Sequence, residues 1–227
     1  MHKNIRRSLP QRITLTSVHL FSLLISGWIY FGSGETFLAG IFGKPEVNTP
    51  EHLRILMFSL ATIYFMRLVF TSFILLKRLM PWEEVYAVGP FVTFIQIFFT
   101  ILTVYNKASF QSTDWIWIAM FVTGSYLNTY SEWQRMIWKK YPENKGRLYT
   151  KGLFKYSMHI NYFGDTVSFA GFGLLTGSIW GLSISLVMTL GFIFFHIPNL
   201  DKHLKEHYGK QFDEYSKMTK KFVPWIY

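Results

Sequence analysis

Six apolar segments, most of them as long as a helix needs to cross lipid, limit this chain to one class of fold. They run roughly Ile13–Phe31, Leu53–Leu76, Val85–Tyr105, Trp115–Tyr130, Phe163–Thr176 and Ile179–His196. The fifth is short, and the brief connection at Gly177–Ser178 implies a tight helical hairpin that need not cross fully. Only 16% of the residues are charged, where a soluble domain carries about a quarter. Aromatic residues crowd the segment ends, among them Trp28, Tyr30, Trp82, Trp115, Trp117 and Tyr130, as expected at headgroup level. The expectation is an all-α, polytopic integral-membrane helix bundle of about six spans, forming one domain over residues 1–227.

The net charge of +10 raises nucleic acid as a partner, but the positions of the cations argue against it. Nineteen of the 23 Lys and Arg residues fall on one side of the predicted spans. They occupy the N-terminal tail, the loop at Lys77 and Arg78, the loop from Arg135 to Lys155, and the C-terminal tail. Lys44, Arg54 and Lys107 fall on the other side, and Arg67 lies inside a span. Cations beside apolar spans orient a chain and meet anionic headgroups, so both termini are expected to face the cytoplasm. The basic N-terminal stretch leads into an apolar segment without a small-residue cleavage site and is read as an uncleaved first span. Ala39–Pro50 reads as an extracytoplasmic loop. With no cysteine, thiolate and disulfide chemistry are excluded.

The polar residues that remain gather in three places. Arg67 sits about ten residues before the basic end of its span, where a charge is costly unless it is paired or reaches water. Two readings are open: a guanidinium snorkelling to the interface, or an anion contact in a hydrated cavity. Tyr64, three residues earlier, shares its helical face. The second group begins at Ser131-Glu132-Trp133-Gln134, read as the start of a short amphipathic segment that ends at Lys139-Lys140. A turn at Pro142–Gly146 follows, and then Gly152-Leu153-Phe154 and Asn161-Tyr162-Phe163-Gly164-Asp165. Lys139, Lys140, Lys145 and Arg147 alone would make a solvated face, but Asn161 and Asp165, one turn apart at a membrane entry, ask for more. Cations for phosphates, carboxylates for ribose hydroxyls and amides together form the inventory a dinucleotide needs. The third group is the tail, His207–Tyr227, rich in lysine and tyrosine. His203 and His207, one turn apart, have no third ligand nearby and are not read as a metal site.

Tyr64-Phe65-Met66-Arg67, the Gly-Leu-Phe and Asn-Tyr-Phe-Gly-Asp runs, and the closing Phe222-Val223-Pro224-Trp225-Ile226-Tyr227 resemble the steroid 5-alpha-reductase family. They are similar also to its sterol-reductase relatives and DUF1295-like membrane enzymes. The resemblance covers roughly Leu60–Arg78 and the C-terminal-like region at residues 131–227. It implies an NADPH-dependent oxidoreductase acting on a carbon–carbon double bond, conjugated to a carbonyl, in a steroid-like or isoprenoid lipid drawn from the bilayer. It also implies Tyr64 as the catalytic hydrogen-bond donor to the substrate carbonyl, and Arg67, Glu132, Lys139, Asn161, Asp165 and Tyr208 as cofactor contacts. The terminal Pro-aromatic-Ile-Tyr would pack the tail against the bundle. The run Met158-His159-Ile160 departs from the family's Arg-His-Pro, which leaves His159 a packing or hydrogen-bonding part.

Two other readings stay open. Integral-membrane methyltransferases that use S-adenosylmethionine resemble this chain in the Asn-Tyr region and the tail. Their tandem acidic pair, however, is replaced here by Pro198-Asn199-Leu200-Asp201. A non-catalytic membrane scaffold is the third reading, because the first span carries no acid to stand beside Tyr64; Glu35 and Glu51 both lie outside it.

Overall fold

Every described element of the computed structural model is helical, and the structure describes residues 6–43, 45 and 48–227. Lys3 and Lys44, which entered the orientation argument, lie outside these residues. The elements are α1 (Leu9–Phe31), α2 (Gly34–Phe42), α3 (Glu51–Phe70), α4 (Trp82–Asn106), α5 (Asp114–Trp138), α6 (Ile160–Leu175), α7 (Leu182–Gly191), α8 (Ile197–Tyr208) and α9 (Lys210–Met218). α3 runs on as a π-helical turn, Thr71–Leu75, and a second such turn, Phe192–His196, joins α7 to α8.

Four stretches have the length and apolar composition to cross a membrane: Leu9–Phe31, Glu51–Leu75, Trp82–Asn106 and Ile179–Tyr208. These contain the first, third and sixth expected spans, and the second except for Leu76, where the backbone turns extended. The other two expected spans also form helices. α5 has 25 residues but is diluted by Trp, Tyr, Gly, Ser and Asn, while α6 has only 16. Gly177 takes φ +78° at the tight turn after α6, where a side chain would be strained.

The chain forms two compact units. The first comprises Met1–Trp115 with Phe172–Gly181. Here α1, opened by Pro10 in its first turn, packs chiefly on α4 and then on α3. Pro81 and the acids Glu83 and Glu84 start α4, where negative charge favours a helix N-terminus. Leu15, Met80 and Val85 form one apolar cluster of the unit. Arg54 ties the loops at one end, pairing with Glu35 at 3.0 Å and donating to the Tyr30 and Thr49 carbonyls. Lys107 and Asp114 form a buried ion pair at 2.6 Å.

The second unit comprises Ile116–Gly171 with Leu182–Tyr227. In it α5 and α6 approach backbone to backbone. A Cβ on Gly164 would lie 2.6 Å from the Asn128 nitrogen and 2.7 Å from the Gly124 oxygen, so only glycine fits. Thr166 and Thr189 share a hydrogen bond at 3.1 Å, and Ser185 donates to the Thr166 carbonyl at 2.8 Å, which fastens α7 to α6.

The tail does not dock by its last residues as expected. Trp225, Ile226 and Tyr227 are exposed, whereas Phe212, Tyr215 and Phe222 are buried. Backbone pairing explains the difference: the Met158 and His159 amides donate to the Lys220 and Lys221 carbonyls at 2.8 and 3.1 Å. The Ser157 hydroxyl donates to the Phe222 carbonyl at 2.7 Å. These bonds hold the strap one step before the terminal aromatics.

Candidate active site

Glu132 was expected on a separate amphipathic segment after a span ending at Tyr130. It lies instead on the same continuous helix as that span, α5. No proline or glycine interrupts Tyr130–Trp138, so the helix carries straight on from apolar into polar sequence. Continuity gives the acid a rigid mounting.

The close glycine contact then brings three of the expected residues together. Asn161 Nδ2 donates to Glu132 Oε1 at 2.9 Å. One helical turn further along α6, Asp165 Oδ2 accepts from Asn128 Nδ2 at 2.9 Å, and the same amide reaches the Asn161 carbonyl at 3.1 Å. Arg135 pairs with the other oxygen of Glu132 and lies over the Phe154 ring, 5.5 Å from its centroid. The group is half-buried, with Glu132 at 18% side-chain exposure, so its carboxylates can still meet a ligand. Asn128 and Arg135 were not singled out from the sequence. An asparagine one turn before an acid, within an apolar run, was the available signal for the first.

Lys139 and Tyr208 belong to a second feature of this unit, an open cavity of about 310 Å³. Lys140, Lys145 and Arg147 also line it. It lies beyond the end of α5, and Lys139 is seven residues after Glu132, about 10 Å along a helix axis. Four cations around one opening make an anion site of the kind phosphates occupy. Gly152, at φ +59°, turns the following loop so that the Leu153 amide donates to Gln134 Oε1 at 3.1 Å. Tyr149 and Phe154 pack beneath it with Ile160, and burial raises the Tyr149 phenol above its ordinary pKa, with Tyr130 adding to the shift. Burial likewise pushes the Tyr215 phenol up, and its hydroxyl donates to the Phe154 carbonyl at 2.5 Å.

His159 takes a structural part. It is buried, its Nε2 meets Asp201 Oδ1 at 2.8 Å, and Lys221 holds the other Asp201 oxygen at 3.1 Å. Asp201 therefore clamps the strap to the start of α6. His203 and His207 stack at 6.2 Å between centroids. Among the described residues no three His, Cys, Asp or Glu side chains are grouped to hold a metal.

Tyr64 and Arg67 stand on α3 in the first unit. Tyr64 is buried at 8% exposure, and Arg67 is half-buried. The tyrosine ring packs edge-on against His19 of α1, 4.6 Å between centroids.

A family model described as "Protein of unknown function (DUF1295)" matches residues 75–219. The helices α5 to α9 fall within that match, which ends before the strap that carries Lys221 and Phe222. Human 3-oxo-5-alpha-steroid 4-dehydrogenase 1 is 28% identical over 115 residues, covering 49% of this chain and 41% of the relative. The Delta(14)-sterol reductase of Ascobolus immersus is 32% identical over 83 residues, covering 36% of this chain and 19% of the relative. "Probable O-methyltransferase ustE" of Ustilaginoidea virens is 35% identical over 85 residues, covering 37% and 30%. This chain thus spans less than half the length of each of these relatives.

Proposed function

This chain belongs to the DUF1295 family and to the steroid 5-alpha-reductase and sterol reductase superfamily, and from that premise we propose that it is an NADPH-dependent membrane reductase. Its substrate is a carbon–carbon double bond, conjugated to a carbonyl, in a steroid-like or isoprenoid lipid that enters from the bilayer. Its basic loops and both termini face the cytoplasm, where the nucleotide is found.

The observation that carries this reading is the pairing of Glu132 with Asn161 and of Asp165 with Asn128, on the helix that leads to the cationic cavity. These residues suit the nucleotide by their chemistry. Lys139, Lys140, Lys145 and Arg147 would hold phosphates, and Tyr208 would line the same opening. Glu132 and Asp165 would accept from ribose hydroxyls, and Asn161 would offer an amide. Arg67 is assigned to the cofactor as well. A reduced nicotinamide, when bound, supplies the hydride. The protein's own task is to place the lipid and to steady the negative charge that grows on the carbonyl oxygen. Tyr64 does this as a hydrogen-bond donor from a buried position, where such a bond counts for more than in water.

Methyl transfer from S-adenosylmethionine is the second reading, supported by the similarity to the ustE protein. Calorimetric titration of the detergent-solubilised protein with NADPH and with S-adenosylmethionine separates the two. We expect NADPH to bind and to be consumed with a 4-en-3-one steroid. Binding of S-adenosylmethionine alone would move the chain to methyl transfer, and binding of neither would leave a scaffold.

A further inference from the structure

The strap after α9 runs into a closed turn at residues 222–227. The Phe222 amide donates to the Tyr227 carbonyl at 2.6 Å, and the Ile226 and Tyr227 amides both donate to the Val223 carbonyl at 3.1 Å. Phe222 and Pro224 are buried in this turn, while Trp225 and Ile226 are each 75% exposed and Tyr227 is 53% exposed. Trp225 takes φ +63°, a left-handed conformation that is strained for a bulky residue. The backbone is thus strained at the place where it leaves three large apolar side chains uncovered.

Exposed apolar residues on the spans, such as Leu190 and Phe194, are met by lipid tails. The turn stands on no span, so a patch of this kind needs a cover of its own. Its surroundings say which. Bonds from the Met158 and His159 amides to the Lys220 and Lys221 carbonyls hold the strap at the start of α6, where apolar sequence begins. That sets the turn at the level of a membrane surface. The Trp225 ring meets the Tyr156 ring at 5.5 Å between centroids, and Lys155 Nζ lies 4.7 Å from the centroid of the same tyrosine. Indole, phenol and ammonium therefore form one connected series. Lys221 pairs with Asp201, whereas Lys155, Lys217 and Lys220 enter no ion pair among the described residues. Indoles and phenols concentrate at headgroup depth, and lysines beside them are drawn to anionic lipid. A second copy of the strap would suit this rim less well, because it would bring lysine against lysine.

We propose that the turn docks on the anionic lipid leaflet beside the basic loops. Trp225, Ile226 and Tyr227 enter the headgroup layer, and Lys155, Lys217 and Lys220 meet lipid phosphates. The leaflet then anchors the strap from outside, as Ser157 and Asp201 hold it from within. The proposal stands apart from the reductase reading, since neither nucleotide nor substrate takes part.

The chain has no cysteine, so Ile226→Cys places a single nitroxide label on the full chain in nanodiscs. Power saturation reads the label's contact with oxygen, which concentrates in lipid, and with a water-soluble nickel chelate. In discs of phosphatidylcholine mixed with phosphatidylserine, the label should meet oxygen and be shielded from nickel. In phosphatidylcholine alone the docked-to-free ratio should fall, and in the mixed discs Lys155→Gln and Lys220→Gln should each lower it roughly fivefold. High salt should weaken docking as well. Trp225→Gly, read through the same label, should undock the turn yet melt no lower in detergent, because glycine accepts the left-handed backbone without strain. A tryptophan that serves only packing would lower the melt and leave the label's depth unchanged. A label open to nickel in every lipid overturns the proposal. One shielded from nickel and oxygen alike also overturns it, by placing protein there, a second copy of this chain included. Oxygen contact that ignores lipid charge, salt and both lysines would mean plain apolar burial and would remove the anionic leaflet as the partner.

Discussion

Tyr64 and Asp165 answer different questions at the scale of single residues. Tyr64→Phe keeps the ring against His19 and deletes one hydroxyl. Removing one donor to a developing oxyanion lowers turnover by about 10²–10³-fold, or roughly 2.7–4 kcal/mol of transition-state stabilisation. Steady-state kinetics on a converted steroid should show this drop with nucleotide affinity nearly unchanged; wild-type turnover would remove the phenol from the chemistry. Asp165→Ala instead deletes a carboxylate that is half-buried and bonded to Asn128. We expect weaker NADPH binding from a protein that still melts cooperatively. Unaltered affinity would take Asp165 out of the nucleotide site, and an unfolded product would make it a structural bond instead.

Helix pairs decide whether those residues meet at all. Asn128 and Asp165 are within hydrogen-bonding distance because the backbones of α5 and α6 touch at Gly124 and Gly164. Gly164→Ala places a methyl 2.6 Å from a backbone nitrogen that cannot swing aside. Such overpacking typically costs about 1–3 kcal/mol. Here it should also separate Asn161 from Glu132, so a thermal melt and a nucleotide titration ought to worsen together. Loss of stability with intact binding would show that the amide–carboxylate group does not depend on this approach. The strap after α9 works on the same scale. Asp201 joins His159 to Lys221, and the Phe222 carbonyl accepts from Ser157, so tail docking relies on polar bonds as well as on apolar burial.

Charge is distributed at the scale of the whole molecule. Thirteen basic residues lie in the Arg135–Lys155 loop and the C-terminal tail, four of them around one cavity. This excess favours a ligand with one more phosphate. NADPH should therefore bind more tightly than NADH by about 1.5–3 kcal/mol, the worth of hydrogen bonds to a charged group. The gap should narrow as salt rises, because exposed cations are screened. Calorimetry at two ionic strengths checks both statements, and equal affinity for NADH would contradict the assignment of the cavity to a 2′-phosphate.

The six apolar segments were legible as helices from composition and spacing alone, because long apolar runs place each backbone bond inside its own helix. The helix α2, which takes in the start of the expected Ala39–Pro50 loop, and the polar helices α8 and α9 were not, and α5 runs on past Tyr130 to Trp138. The faces shared by Asn161 with Asp165, and by Tyr64 with Arg67, were legible too, since a helical turn brings such neighbours together whatever surrounds it. The partners were not. Asn128 is 37 residues from Asp165 in sequence, and only the depth at which two glycines let α5 and α6 meet sets one against the other. Packing likewise determined that α5 carries Glu132 without a break, that Phe222 rather than Trp225 anchors the tail, and that His19 lies buried against Tyr64. Local spacing sets the direction in which a side chain leaves its helix, but what it meets depends on the register between helices. That register is decided by steric fit across the whole bundle.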